Sequence, residues 1–371
     1  MSPLEHSAGE QEVLAQLRTV QDPDLHKDFV TLGMIKNLLV KGERVSFTLV
    51  LTTPAHPLKN EFREACRAAV SGLPWVRQVD VNLTAETVSG RGLGGGQDQL
   101  VPSVKNVVAV ASGKGGVGKS TTSVNLALAL AEAGAKVGLL DADVYGPNLP
   151  LMMGLRERPP LAGGEGRIEP VRRYGVKLMS IGFFLDEDNP VIWRGPMVHG
   201  AIQQFLRDVD WGDLDYLVVD LPPGTGDAPL SLSQLVPMSG VVIVTTPQDV
   251  ALQDVSKGIG MFRRLEVPIV GVIENMSYFV CQNCSTRHEI FGTGGGERIA
   301  RHFGLPFLGK LPLQPAIREG GDEGRPFLLA YPRAPESEAY RAVAGALARQ
   351  VSLLAYEKGP GEGFVPLEGL I

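Results

Sequence analysis

The residues Ser112 to Thr121 read SGKGGVGKST, directly after the apolar run NVVAVA and directly before the helix-like TSVNLALALAEAGA. From Gly113 to Ser120 the spacing is G-x-x-x-x-G-K-S, that of a loop whose backbone N–H groups wrap phosphate oxygens between a strand and a helix. Gly113, Gly115, Gly116 and Gly118 let the backbone approach an anion that side chains would block, with Val117 between the last two. In that chemistry Lys119 neutralises the β- and γ-phosphates, Ser120 offers a hydroxyl to Mg²⁺, and Thr121 completes the nucleotide-binding set at the end of the loop.

Lys114, directly after the first glycine, has no obvious work in its own site. Two readings stand: a solvated loop lysine, or a positive charge supplied to a phosphate on a neighbouring subunit, which would couple dimerisation to nucleotide. GLLDADVYGPN ends an apolar strand with Asp141 and Asp143, and YLVVDLPPGTGD ends another with Asp220, followed by the turn Pro222, Pro223, Gly224. Carboxylates at strand ends beside a phosphate loop suit Mg²⁺ coordination, with Asp220 and Asp143 as metal partners and Asp143 also placing the attacking water. Gly224 is positioned to present its N–H to a γ-phosphate. Asn275, read as just past the strand GVIE, is either an adenine-reading amide or a turn former.

A second chemistry sits in YFVCQNCSTRHEIFG. Cys281 and Cys284 have the C-x-x-C spacing that lets two thiolates hold one metal or cluster, with His288 nearby. Two cysteines are half of a four-thiolate site, and a symmetric dimer would supply the other half. A zinc site that recruits His288 and a dithiol redox pair are the rival readings. Cys66, inside the helical REACRAAV, reads as a buried structural thiol.

The elements that must position these groups follow from periodicity. Before residue 90, EVLAQLRTV and PLKNEFREACRAAVSGL read as helices and RVSFTLVLTT and VRQVDVNLT as strands, a small α+β domain. Five glycines crowd the first seven residues of GRGLGGGQDQLVPSV, which reads as a linker. Beyond it NVVAVA, KVGLLD, KLMSIGF, DYLVVD, GVVIVTTP and VPIVGVIE alternate with helix-length stretches, so the expected fold is α/β, a doubly wound, mostly parallel sheet. The expected boundaries are 1–89 for the small domain, 90–103 for the linker, 104–356 for the P-loop domain and 357–371 for a tail. At 371 residues and 44% hydrophobic, the chain has material for a sizeable core. A net charge of -6 argues against general nucleic-acid binding, and no apolar run reaches membrane-spanning length. The expectation is a cytoplasmic protein that binds neither nucleic acid nor membrane. His56, in TTPAHP, reads as a structural or surface histidine.

Together SGKGGVGKST, DADVYGPN, DLPPGTGD, TTPQDVAL and ENMSYFVCQNC resemble the Mrp/ApbC family of iron-sulfur cluster carrier ATPases, within the MinD/ParA-like class of P-loop proteins with a deviant Walker A motif. The resemblance implies ATP and Mg²⁺ as cofactors, Lys114 contacting nucleotide across a homodimer interface, and a labile [4Fe-4S] cluster bridged by Cys281 and Cys284 of two subunits for transfer to apo iron-sulfur proteins. DPDL, TLGMI and LVLTTPAHPLK resemble the small domain of iron-sulfur assembly proteins, with His56 standing where many such domains carry a cysteine.

Overall fold

Runs of valine, isoleucine and leucine after residue 103 assemble into one sheet, because strands that are apolar on both faces must be covered from both sides. The computed structural model describes residues 7–90, 100–155, 167–184, 195–281 and 283–357. Most of the expected linker and nearly all of the expected tail lie outside the described residues.

In the N-terminal part, Ser7 caps the helix Ala8–Leu17: its hydroxyl accepts from Glu10 N while the Glu10 carboxylate accepts from Ser7 N. Strands β1 (Gln21–Asp22) and β2 (Lys27–Asp28) pair briefly, and β3 (Ile35–Lys41), β4 (Arg44–Leu51) and β5 (Gln78–Ala85) form a three-stranded sheet. β3 and β4 make an antiparallel hairpin, whereas β4 and β5 run parallel and are joined by the helix Lys59–Ser71. That helix buries Phe62, Cys66 and Val70 at four-residue spacing in a core shared with Phe29, Phe47 and Leu49. β3 escaped the sequence reading because IKNLLVK carries no buried position.

The large sheet holds β6 (Val104–Ser112), β7 (Val137–Asp141), β8 (Val171–Arg173), β9 (Val176–Ser180), β10 (Leu214–Asp220), β11 (Gly240–Thr245), β12 (Ile269–Val280), β13 (Arg287–His288) and β14 (Phe307–Pro312). Its order is β13-β12-β11-β6-β10-β7-β9-β8, with β14 also paired to β12. All pairings are parallel except β8 with β9 and β12 with β13. β6 lies between β10 and β11, so the loop after it opens where successive connections part to opposite sides, the usual ligand crevice of such sheets. The helix Lys119–Glu132, which starts at that loop, is buried from Thr122 to Leu130 beneath the final helix, Pro335–Glu357.

Two expectations shift. KLMSIGF is a strand only to Ser180, because the Ser180 hydroxyl accepts from Gly182 N and turns Ile181–Phe183 into a single 3-10 turn. Asn275 lies inside β12 instead of beyond a strand end: the strand runs on to Val280 through a kink at Met276, φ 54°.

The two cores are joined along a tight seam. Tyr216 on β10 donates to Thr53 Oγ1 at 2.9 Å, both groups fully buried, and Asn106 Nδ2 donates to Val88 O at 2.9 Å. Ala55 leaves the small domain to pack in the larger core, and Arg349 on the final helix pairs with the buried Asp24. His56 is buried against Phe62 with Nε2 3.9 Å from Asp24. It is a structural residue of this seam, not a surface one.

Candidate functional site

The phosphate loop takes its shape from two glycines that admit no substitute. A Cβ on Gly113 would meet the backbone of Asp254 and Val255 at 2.5–2.6 Å, so the helix Asp249–Arg264 packs against the loop only because Gly113 has no side chain. Gly118 has φ 80°, a left-handed conformation that launches the helix at Lys119. Behind it Asn275 Nδ2 donates to Val117 O at 2.8 Å. The expectation for Asn275 was a base-reading amide or a turn former; here its N–H buttresses the loop.

Lys119 is buried with Nζ 2.8 Å from Asp220 Oδ2 and 3.6 Å from Asp143 Oδ2. Asp220 also accepts from Ser120 Oγ and Ser123 Oγ, each at 2.6 Å. One lysine thus faces two carboxylates, and hydroxyls satisfy the remaining lone pairs. Asp141 plays a different part from Asp143. Its carboxyl is fully buried and accepts from Asp143 N, Leu149 N and Ser180 Oγ, so it holds the loop that carries Asp143. Burial, and next the neighbouring Asp220, push the Asp141 carboxyl up to about 8. Burial also raises Asp143 from its ordinary value, with Lys119 acting against it.

Gly224 corrects an expectation. Its N–H donates to Ser112 O at 2.9 Å and so is engaged with β6, and Pro223, not Gly224, lines the cavity. The cavity measures about 510 Å³ and is walled by Lys114 to Gly116 and Gly118 to Thr121 of the phosphate loop, by Asp143, Asn275 and Met276, and by the segment from Pro312 to Gln314. Lys114 borders it and makes no ion pair among the described residues, so its charge is not spent within the chain.

Only a few residues separate this cavity from the cysteines. β12 continues past Asn275 and turns back as β13, with Phe279 opposite His288 and Val280 opposite Arg287. At the tip Cys281 N donates to Thr286 O at 3.0 Å and Ser285 N to Cys281 O at 2.8 Å. Cys281 is half-buried and Cys284 exposed. A hydrogen bond with the Thr286 hydroxyl, at 3.2 Å, lowers the Cys284 thiol from its ordinary value. Among the described residues no three His, Cys, Asp or Glu side chains converge on a metal position, so His288 does not complete a zinc site with the cysteines in one chain. Cys66 is fully buried and its thiol is pushed up to about 12 by burial, which leaves it inert.

Residues 103–348 match the family described as NUBPL iron-transfer P-loop NTPase, and residues 10–82 match the iron-sulfur cluster assembly protein family. The chain belongs to the NUBPL-type P-loop NTPases. It is 50% identical over 347 residues to an iron-sulfur cluster carrier protein of Synechocystis sp., covering 92% of this chain and 98% of that one. It is 41% identical over 339 residues to the iron-sulfur cluster carrier protein of Escherichia coli, covering 91% of each. Among solved structures it resembles a nucleotide-binding protein of Archaeoglobus fulgidus in complex with ADP, with a TM-score of 0.54 and 42% identity over 60% of this chain and 88% of the other.

The donor set of this NUBPL-type NTPase suits Mg²⁺. Ser120 Oγ and the carboxylates of Asp220 and Asp143 are hard oxygen donors gathered beside Lys119. Ser123, Ser180 and Gln314 went unseen in the sequence. Ser123 alone carried a local signal, since it stands one helical turn after Ser120 and shares its face.

Proposed function

We propose that this NTPase binds and hydrolyses ATP with Mg²⁺ and, as a homodimer, carries a labile [4Fe-4S] cluster between two Cys281/Cys284 pairs for delivery to apo iron-sulfur proteins. The observation that carries this reading is continuity: one strand, β12, lines the nucleotide cavity at Asn275 and Met276 and ends at Val280, directly before Cys281. The names of the relatives point to the same cargo.

In this reading Lys119 holds the transferring phosphate, and Ser120 with Asp220 holds Mg²⁺, which stabilises the charge on the β- and γ-phosphates. Asp143 orients the attacking water, and Lys114 acts on the partner subunit's nucleotide. A solvent-facing thiolate pair keeps a cluster releasable, where a closed four-ligand site in one chain would retain it. No helix among the described residues is long and apolar enough to cross a membrane, and a net charge of -6 disfavours general nucleic-acid binding; the proposed setting is the cytoplasm.

Anaerobic reconstitution tests the cargo. About four irons and four sulfides per two chains, lost in Cys284→Ala, are expected for one shared [4Fe-4S] cluster. Zinc alone, or a nucleotide-hydrolysing dimer without metal, would leave only a nucleotide-driven switch of the MinD/ParA kind.

A further inference from the structure

The two arms of the cysteine hairpin are anchored differently. The entry arm is the end of β12, tied to the β14 side where Leu313 N donates to Tyr278 O, at 2.7 Å, and Gln314 Nε2 donates to Val280 O, at 3.2 Å, and to Glu336 Oε1, at 3.0 Å. The return arm is exposed from Asn283 to Gly292 and pairs with β12 at Phe279 and Val280. It reaches buried ground at Gly295 and Gly296, where the helix Gly295–Phe303 begins.

There Glu274 takes hold of it. This glutamate lies on β12 and is fully buried. Its Oε1 accepts from Ser277 Oγ and from Gly294 N, the latter at 2.9 Å, and its Oε2 accepts from Gly296 N at 2.7 Å. Ser277 Oγ in turn lies 3.3 Å from Thr293 Oγ1. All three donors to the carboxylate are neutral, so their hydrogen bonds and the positive end of the helix offset its burial. A glycine-rich turn before a helix, here GTGGG, is the usual seat of an anion, and Glu274 already fills it. A Cβ on Gly296 would meet Glu274 Cβ at 2.9 Å, and one on Gly295 would meet Pro247 O at 2.3 Å, so the turn lies too close to β12 to admit a side chain at either position.

The carboxylate therefore closes the hairpin at its root, since it bonds to a backbone N–H 20 positions further along the chain. A loop with fixed ends has fewer conformations open to it, so the tip that carries Cys281 and Cys284 is ordered before any ligand arrives. The next residue, Asn275, points to the opposite face of the strand and braces Val117 O of the phosphate loop at 2.8 Å. Two neighbours on β12 thus set the cysteines and the phosphate loop in one frame.

We propose that Glu274 is the positioning residue of the thiolate pair: its carboxylate staples the return arm of the hairpin to β12, holds Cys281 and Cys284 in place as ligands, and so sets how long the cargo cluster stays bound. The inference rests on the carrier reading and adds to it a residue that controls retention. Glutamine at this position keeps the shape but offers one acceptor oxygen where two are needed, and it turns an amide N–H toward a backbone N–H.

The test compares the unsubstituted full-length chain with Glu274→Gln, Ser277→Ala and Tyr216→Phe. The last loosens the seam between the two cores without touching the hairpin, and so reports what a general loss of stability does. In the reduced, cluster-free chain, alkylation of Cys281 by iodoacetamide is followed by mass spectrometry, with the exposed Cys284 as internal reference. The ratio of the Cys281 rate to the Cys284 rate should rise about three- to tenfold in Glu274→Gln, the range for about one lost hydrogen bond, rise by less in Ser277→Ala, and stay unchanged in Tyr216→Phe. After anaerobic reconstitution, capture of iron by a ferrous chelator should quicken in the same order. An unchanged ratio in Glu274→Gln, an equal rise in Tyr216→Phe, or a risen ratio with iron lost at the unsubstituted rate overturns the positioning role. Should Glu274→Gln fail to fold, Ser277→Ala decides by the same readings, and values equal to those of the unsubstituted chain overturn it. An unsubstituted chain that takes up no cluster overturns the carrier reading itself, while the alkylation ratio still decides whether Glu274 positions the thiols.

Discussion

Lys119 Nζ and Asp220 Oδ2 meet at 2.8 Å with only 6% and 1% of their side chains exposed. A buried pair of this kind is held as much by what else it touches as by its own attraction. Ser120 and Ser123 satisfy the carboxylate, and Asp143 gives the ammonium a second anion. Lys119→Ala removes the cation and leaves Asp220 and Asp143 facing each other. Nucleotide binding should be lost in calorimetry, and stability in urea without nucleotide should fall by about 3 kcal/mol, the range for stranding a buried charge. Unchanged affinity would contradict the assignment of the loop.

Lys114 is the other loop lysine, and it borders the cavity without an ion-pair partner among the described residues. Lys114→Ala should bind ATP in the monomer as the unsubstituted chain does and lose about 10³-fold in hydrolysis, as expected for a charge supplied in trans. Full turnover in this variant would assign Lys114 to solvent.

Asp141 makes stability depend on pH. Its folded value near 8 exceeds the unfolded one near 3.8, so the native chain binds a proton that the unfolded chain has released between those values. The contribution is therefore complete below about pH 4 and is lost as pH rises toward 8, at a slope of at most about 1.4 kcal/mol per pH unit. Asp141→Asn carries no such proton. Urea unfolding of both chains at pH 5 and pH 8 should show the larger loss in the unsubstituted one, and parallel losses would reject the shift.

Tyr216 and Thr53 tie the two cores together. Tyr216→Phe removes the hydroxyl that donates to Thr53 Oγ1 in a fully buried place, while Thr53 keeps its bond from Ala55 N. The expected cost is about 1 kcal/mol, visible as a lower thermal midpoint. Cleavage by a protease within residues 7–90 should quicken if the seam, and not only the local contact, has loosened.

How much of this was legible depended on how local the signal is. Lys119, Ser120 and the loop glycines belong to one eight-residue stretch whose geometry is set by neighbours in the chain, so their spacing carried their placement. Asp220 was legible as a strand end for the same reason, and Asp143 as lying just past one, two residues beyond the end of β7 at Asp141. Asp141 and Asp143 look alike in DAD, and only their partners in the fold separate the loop holder, bonded by Leu149 N and Ser180 Oγ, from the carboxylate 3.6 Å from Lys119. Asn275 was misplaced because a strand that kinks at Met276 and then continues gives no sequence sign of where pairing resumes. Gln314 reads as an ordinary polar residue before PAIREGG, and the two contacts that give it meaning lie 22 and 34 positions away.

The class of sheet, the phosphate loop, the carboxylates at or just past strand ends and the paired thiols followed from the order of residues, since each rests on periodicity or on contacts within a few positions. Tertiary structure alone decided that Ala55 and Tyr216 fuse two cores, that Asn275 braces the loop, that Gly224 bonds to β6, and that one strand joins the nucleotide cavity to Cys281. Those outcomes rest on hydrogen bonds and packing between groups up to 163 positions apart. Which partner a buried polar group finds is set by the whole packed chain, because only there does leaving it unpaired carry a cost.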